Sequence, residues 1–253
     1  MLFADRSRAE SFGAVAELYD RVRPSYPPAL LDDLLSDGAV HVLDVGCGTG
    51  IAGALLDARG CTVAGVEIDE RMAALARAKG LEVEVAKFES WADRGRRFDL
   101  IVSGQAWHWI EPRAGAVKAA RLLRPGGRIG LFWNLGDPAP EVRDRLAPVY
   151  ARLEPELEEY SVVLGSSSDR AGVSVSGLEA SGRFADVAVR QFPWRRRYDT
   201  ESWLAFLHTH SDHHTLPPDR RQRLLSAVGD AIDELGGSFE VDYETVLVSA
   251  RRG

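Results

Sequence analysis

Asp44, Gly46, Gly48 and Gly50 stand at alternate positions where an apolar run, Val40 to Val45, gives way to an Ala/Leu-rich stretch from Ile51 to about Arg59. That order reads as strand, tight loop and helix start. Glycine is needed where the backbone turns sharply and where a Cβ would hold a ligand off the main chain. The first helical turn then offers unpaired N–H groups to a polar group in the loop. A second acid, Glu67, closes the run Thr62 to Val66, which reads as the next buried strand. An acid at the carboxyl end of that strand can accept both hydroxyls of a ribose in a bidentate way.

Gly48-Thr49-Gly50-Ile51-Ala52-Gly53 also satisfies the dinucleotide spacing G-x-G-x-x-G. In that fingerprint the first glycine directly follows the strand, whereas here Gly46 and Cys47 intervene. A frame begun at Gly46 demands a glycine at Ile51, so the nucleotide fingerprint fits poorly. The loop instead resembles motif I of the class I S-adenosylmethionine-dependent methyltransferases, a hydrophobic strand ending in Asp-x-Gly-x-Gly-x-Gly. Asp44, Gly46, Gly48 and Gly50 fill that pattern without a gap. Tyr19-Asp20 followed by Arg23-Pro24-x-Tyr26-Pro27 resembles the start of the type 11 and trans-aconitate-methyltransferase-like small-molecule group. Ala106 with the following His108-Trp109, the Leu123-Arg124-Pro125-Gly126-Gly127 turn, and Thr209-His210-Ser211 extend the resemblance over nearly the whole chain.

The resemblance implies S-adenosylmethionine as cofactor, cradled by Asp44, Gly46, Cys47, Gly48 and Gly50, with Glu67 on the ribose. Ile68 and Met72 would flank the adenine, and the Phe88 main chain would read the base edge. The family usually has an acid at the position of Lys87; with lysine there, Glu89 is the nearer acidic candidate. Trp91 is expected to pack beneath the adenine pocket. Gln105 lies in the loop after the fourth strand, beside the glycine loop. Tyr19 and Arg23 either cover the sulfonium and pair with the cofactor carboxylate, or hold the N-terminal segment to the core. His108, between Trp107 and Trp109, is the titratable group best placed near the methyl. It would act as base towards a hydroxyl or phenol, while a carboxylate acceptor needs none; hydrogen bonding within its own loop is the plainer role.

The elements that position these residues alternate strand and helix. Phe12, Val15, Leu18 and Val22 predict a helix from about Arg8 to Arg21, and Pro28 opens a second through Leu35. Strands are expected at Thr62 to Val66, Leu81 to Ala86 (an exposed edge), Phe98 to Ser103, Arg128 to Asn134 and Val187 to Phe192, with a last strand from Phe239 to Ala250. Helices are expected at Arg113 to Leu123, Ser174 to Arg183, Thr200 to about His210 and Pro217 to Leu235. The fold expected is α/β: a Rossmann-like, seven-stranded, mostly parallel sheet with helices on both faces and an antiparallel last strand. One domain spans 1–253: a helical cap over 1–36, a cofactor-binding core over 37–135, a lid or insertion over 136–173, and the rest of the sheet with two inserted helices over 174–253. The lid is expected to be mobile around Gly165-Ser166-Ser167-Ser168.

With 253 residues, 45% hydrophobic and 27% charged, the chain has the composition of an ordinary globule. The net charge of −7 argues against a nucleic-acid partner, and no apolar run is long enough for a membrane span or a signal peptide. A cytoplasmic location is therefore expected, with Cys47 and Cys61 as small packed residues. Arg195-Arg196-Arg197 is expected to straddle a strand edge. His208, His210, His213 and His214 look like a metal cluster but lack the cysteines or paired carboxylates to close a zinc site, and pocket lining is the better expectation. No metal is expected. The function expected is methyl transfer from S-adenosylmethionine to a small-molecule acceptor, with a carboxylate or hydroxyl as target. A non-catalytic protein that binds the same cofactor, and a nicotinamide-dependent oxidoreductase, are the alternatives.

Overall fold

The computed structural model describes residues 12–158 and 169–253. Its strands are β1 (His41–Val45), β2 (Thr62–Glu67), β3 (Glu82–Val85), β4 (Phe98–Gly104), β5 (Leu123–Pro138), β6 (Phe184–Asp199) and β7 (Ser238–Arg252). They form one seven-stranded sheet in the order β3-β2-β1-β4-β5-β7-β6. Strands β1 to β5 run parallel, and β7 lies antiparallel between β5 and β6. The winding direction reverses between β1 and β4, and a sheet of this kind opens a crevice at the carboxyl ends of those two strands.

Alternation along the strands explains why helices cover both faces. Val42, Leu100, Val102 and Phe132 point to one side, where they meet Leu30, Leu31 and Leu34 of α2 (Pro28–Leu34) and Leu56 of α3 (Ile51–Asp57). Leu43, Val45, Ile101, Leu131 and Trp133 point to the other, against Ala116, Ala119 and Leu122 of α5 (Pro112–Leu122). Strands buried on both faces carry apolar residues at nearly every position. Between α3 and α5 lies α4 (Glu70–Ala78), capped by Asp69 through the Arg71 and Met72 amides. A third cluster lies beyond the parallel strands. It joins Val22 of α1 (Ala16–Val22) to Leu146 and Tyr150 of α6 (Pro140–Leu153), and to Trp203, Phe206 and Leu207 of α9 (Thr200–His208).

Several boundaries differ from the sequence expectation. Strands β5 and β6 are each 16 residues long, well beyond Arg128 to Asn134 and Val187 to Phe192. The cause is β7, which pairs on both edges: Leu135 to Pro138 on one side and Pro193 to Asp199 on the other share its first half. Arg195 to Arg197 lie on this edge strand, where Arg195 bonds Asp242 and Arg197 bonds Ser238. The segment expected as a lid starts with an ordered helix, since α6 buries Val142, Leu146 and Tyr150 in the third cluster. It is followed by α7 (Pro155–Glu158); the Gly165 to Ser168 run lies outside the described residues. The first expected helix begins outside them too. Within them Phe12–Val15 is a 3-10 turn that leads into α1. After α8 (Arg170–Ser181) and α9, a short helix α10 (Ser211–His214) precedes α11 (Pro218–Asp233), where the sequence suggested two helices rather than three. No helix among the described residues is long and apolar enough to cross a membrane.

Candidate functional site

The glycine loop closes the carboxyl end of β1. Gly46, Gly48 and Gly50 all have left-handed backbone, with φ of 66°, 56° and 82°. Gly46 has a second reason to be glycine, because a Cβ there would lie 2.5 Å from the Ala106 Cβ in the loop after β4. The two loops are thus in contact. Glu67 holds the glycine loop from the β2 side: its Oε2 accepts from the Gly48 N–H at 2.8 Å, and its Oε1 from the Ile68 and Asp69 amides at 2.8 and 3.0 Å. Burial raises its pKa, and those three amides offset the rise in part.

Asp44 is the anomaly. It is 1% exposed, yet neither carboxylate oxygen accepts a well-formed hydrogen bond, and the neighbouring Thr49 hydroxyl is likewise buried without a partner. Burial first, then the Glu67 carboxylate, push the Asp44 pKa up to about 7, with the Gly53 amide offsetting only part. An unpaired buried polar group costs on the order of 1–3 kcal/mol. Two buried acids, a hydroxyl and exposed main chain fit a ligand that brings hydroxyl donors and positive charge. The flanks fit the base of such a ligand: Ile68 is half-buried and Met72 is buried, its Cε 3.5 Å from where a Gly48 Cβ would stand.

The N-terminal segment closes this side. Gly13 lies against the Asp69–Arg71 pair, and Lys79 pairs with Asp20. Tyr26, half-buried, packs its ring edge-on to Phe132 at 4.7 Å, with its hydroxyl where a Gly104 Cβ would be. Burial, then Tyr19 and Asp44, raise the Tyr26 pKa while Arg23 lowers it. Tyr26 therefore lies between the cap residues and the acid of the loop. Arg23 donates to the Thr209 carbonyl at 2.6 Å and lies over the Tyr19 and Phe206 rings at 4.7 and 5.4 Å. Its Nε is buried without a partner, and among the described residues it meets no carboxylate. The Thr209 bond joins Arg23 to the chain after α9.

His108 lies on the 3-10 turn Trp107–Trp109 that follows β4. The Trp133 Nε1–H donates to its Nδ1 at 3.2 Å. An indole N–H can only donate, so Nδ1 must be unprotonated and the neutral ring carries its proton on Nε2. Burial, then Arg170 of α8, hold the His108 pKa well below its usual value, so the ring is neutral near pH 7. In this arrangement one ring nitrogen is engaged as acceptor and the other bears hydrogen. His210 stacks edge-on to Phe206 at 4.5 Å, with its Nε2 buried and unpartnered among the described residues. Burial, then Arg23, lower the His210 pKa well below the ordinary value. His213 is structural: Asp212 Oδ1 and the Tyr150 hydroxyl each lie 2.8 Å from its ring nitrogens, which pins α10 to α6. Among the described residues no group of three or more His, Cys, Asp or Glu is placed to hold a metal ion.

The residues singled out in the sequence thus divide. Asp44, Gly46, Gly48, Gly50, Glu67, Ile68 and Met72 surround one loop, and the segment that carries Gln105 and His108 touches it through Ala106. Gln105 keeps a left-handed φ of 60° while its N–H bonds the Phe132 carbonyl at 2.9 Å. Cys47 turns its thiol away onto Gly65 in the core, so only its main chain belongs to the loop. The Phe88 ring is core, packed 5.8 Å from Trp107, and the Glu89 side chain faces solvent. Trp91 is buried in the same cluster. Two residues escaped sequence reasoning, Trp133 and Lys118, and Tyr26 entered it only as part of the N-terminal motif. Lys118 donates to the Trp91 and Glu89 carbonyls at 2.6 and 3.2 Å and so fastens the loop after β3. A signal for it was present, since Lys118 falls on the apolar stripe of α5 with Gly115, Ala119 and Leu122.

Comparison with known proteins gives a consistent picture. The methyltransferase domain family matches residues 43–131. Among curated proteins, an uncharacterized methyltransferase of Mycobacterium bovis is 39% identical over 142 residues, or 54% of this chain and 57% of that one. The aligned part thus spans little more than half the length of that relative. Among solved structures, a proposed type II methyltransferase from Anaeromyxobacter dehalogenans superposes with a TM-score of 0.65 at 23% identity, covering 90% of this chain and 97% of the other. Haemonchus contortus phosphoethanolamine N-methyltransferase 2, solved with phosphomonomethylethanolamine and S-adenosylhomocysteine, superposes at 0.55 and 15% identity, covering 99% of this chain and 59% of that one.

Proposed function

We propose that this chain, which belongs to the class I S-adenosylmethionine-dependent methyltransferases, transfers a methyl group from S-adenosylmethionine to an oxygen of a small-molecule acceptor. The observation that carries the proposal is the unpaired, buried carboxylate of Asp44, set beside Glu67 in a loop whose glycines leave the main chain open. A cofactor with hydroxyls, an ammonium and a sulfonium would satisfy those acids. A dinucleotide with its two phosphates would oppose them.

In this reading Glu67 takes the ribose hydroxyls, Ile68 and Met72 hold the adenine between them, and the Phe88 main chain meets the base edge. Lys118 steadies that last contact by fastening the Glu89 and Trp91 carbonyls. Asp44 and the amides of the glycine loop receive the charged end of the cofactor. Tyr19, Tyr26 and Arg23 close over it from the cap. Gln105 and His108, on the loop that touches Gly46, border the acceptor space. The bound cofactor supplies a methyl already activated by positive sulfur. The protein's part is therefore to position the acceptor in line with the S–CH3 bond and to exclude water.

The test is turnover: release of S-adenosylhomocysteine from S-adenosylmethionine in the presence of small acids, phenols and amines. Acceptor-dependent release is expected from one class at least. Tight cofactor binding with no release across all three would favour the non-catalytic alternative.

A further inference from the structure

We propose that Asn134 is a positioning residue for the cofactor: at the end of a one-way relay of hydrogen bonds from Trp194 through Thr245, it holds the Ser25 carbonyl and so sets the cap turn that carries Arg23 and Tyr26. The cofactor half of this inference rests on the methyl-transfer reading; the hold on the cap does not.

Strand register brings the three side chains together. Asn134 of β5 stands opposite Thr245 of β7, and Thr245 stands opposite Phe192 of β6, so Trp194, two residues on, shares their face of the sheet. Asn134 and Thr245 are buried there, in line with Phe132 and Leu247. The Trp194 Nε1–H donates to Thr245 Oγ1 at 2.9 Å, the Thr245 hydroxyl donates to Asn134 Oδ1 at 2.6 Å, and Asn134 Nδ2 donates to the Ser25 carbonyl at 3.0 Å. An indole can only donate and a peptide carbonyl can only accept, so the two ends fix the direction of every bond between them. Thr245 gives its hydrogen to Oδ1, and the amide turns its nitrogen to the cap. Burying an amide and a hydroxyl costs stability unless they are paired, and the relay pairs them.

The Ser25 carbonyl is where such a hold matters. Pro24 and Pro27 flank Ser25 and Tyr26 and carry no N–H, so this turn between α1 and α2 has few main-chain donors of its own. Ser25 stands between Arg23, which reaches Thr209, and Tyr26, whose hydroxyl lies 2.6 Å from where a Gly104 Cβ would be. The Asn134 main chain reaches another part of the site. Its carbonyl accepts from Gln105 Nε2 at 3.4 Å, in the loop whose Ala106 meets Gly46. One residue thus joins the cap, through its amide, to the loop that touches the glycine loop. A second hold lies one turn away, where Arg196 donates to the Val22 carbonyl at 3.1 Å, and Lys79 pairs with Asp20 further up α1.

The variant that isolates the relay is Asn134→Asp, which keeps the shape and the bond from Thr245 but sets a carboxylate oxygen against the Ser25 carbonyl. Hydrogen–deuterium exchange and calorimetry with S-adenosylhomocysteine at pH 8 would be run on the wild type, Asn134→Asp, Thr245→Val and Thr245→Ser, each with native circular dichroism. In Asn134→Asp the amides of residues 16–26 should exchange at least about tenfold faster while those of β1 and β4 do not change. Its Kd for S-adenosylhomocysteine should rise about tenfold, that of Thr245→Val about threefold, and Thr245→Ser, which keeps the hydroxyl, should match the wild type. At pH 5.5 the introduced carboxyl, raised by burial, gains a proton it can donate to Ser25, so the ratio of variant to wild-type Kd should fall towards one. Unchanged exchange in the cap would overturn the hold. Faster exchange with an unchanged Kd, or a Kd ratio that stays the same at pH 5.5, would overturn the cofactor role. If Asn134→Asp does not fold, equal Kd values for Thr245→Val and Thr245→Ser would overturn it as well. No binding by the wild type would count against the methyl-transfer reading and remove the cofactor half with it, while exchange in the cap still decides the hold.

Discussion

The two sides of the site are built in opposite ways. The glycine-loop side gathers negative charge, Asp44 and Glu67, at the carboxyl ends of the adjacent parallel strands β1 and β2. The side we propose for the acceptor gathers Arg23, His108, Arg170 and His210 from four separate elements, around aromatic rings and with the imidazoles held neutral. The first side is shaped by main chain and cannot accept a larger residue. The second is shaped by side chains and is adjustable. A cofactor common to many enzymes suits the rigid side, and an acceptor that differs between them suits the adjustable one.

If that contrast is right, the largest loss should follow a change in the main-chain side. Gly46→Val puts a branched Cβ onto Ala106 at a residue with φ of 66°, and should weaken cofactor binding by more than about 100-fold, the two penalties adding. Calorimetry on a variant checked for its melting temperature would measure it, and near-normal affinity would mean the loop is no cradle. Gly48→Val should also impair binding through its φ of 56°, but less, since its Cβ would meet only Met72 at an ordinary 3.5 Å.

Glu67→Ala comes next. Loss of its charge-assisted bonds should cost about 1.5–3 kcal/mol of binding, at least tenfold in Kd. Part of that loss comes from the Gly48 amide, which Glu67 also holds. On the opposite side, His108→Gln should reduce turnover by about tenfold or less, because the amide keeps an N–H donor. A lost general base would cost roughly 10²–10⁴-fold. A fall of that larger size in steady-state kcat would erase the distinction drawn between the two sides.

The smallest effect is one of pH. The Asp44 carboxyl rises from 3.8 to about 7 on folding, so between those values the folded chain holds a proton the unfolded chain has lost. Its contribution to stability is therefore greatest below pH 4, falls as pH rises through 7, and is flat above. The ligand-free protein should lose thermal stability across this window, and Asp44→Asn should be at least as stable as the wild type at pH 8. Cofactor affinity should move the other way, rising several-fold from pH 6 to 8 in the wild type and not in Asp44→Asn. Thermal melts and titrations at the two pH values would separate these trends.

What the sequence revealed follows the same division. The alternation of strands and helices, the glycine loop and Glu67 were legible because each is a contiguous pattern with its own periodicity or backbone demand. The reach of β5 and β6 was not, since their outer halves are polar on one face and exist as strands only because β7 pairs with them. With Pro140 at its start and Pro148 within it, α6 falls in a stretch that reads as a lid, and its packing into a core was not legible. His108 was legible as a residue and not as a role. Its tautomer depends on Trp133, 25 positions away on a neighbouring strand, and no local pattern carries that information. Tyr26 and Arg23 are similar cases, their partners Phe132 and Thr209 being fixed only by the closed fold.

The central claim, that the two buried acids and the glycine loop form an S-adenosylmethionine site, is tested most directly by titrating the wild type and Glu67→Ala with S-adenosylhomocysteine in a calorimeter at pH 8, with NAD as the competing ligand. The account predicts one-to-one binding of S-adenosylhomocysteine to the wild type, at least tenfold weaker binding to a folded Glu67→Ala, and no measurable heat with NAD. Equal affinity of the two proteins for S-adenosylhomocysteine, or binding of NAD in its place, would contradict it.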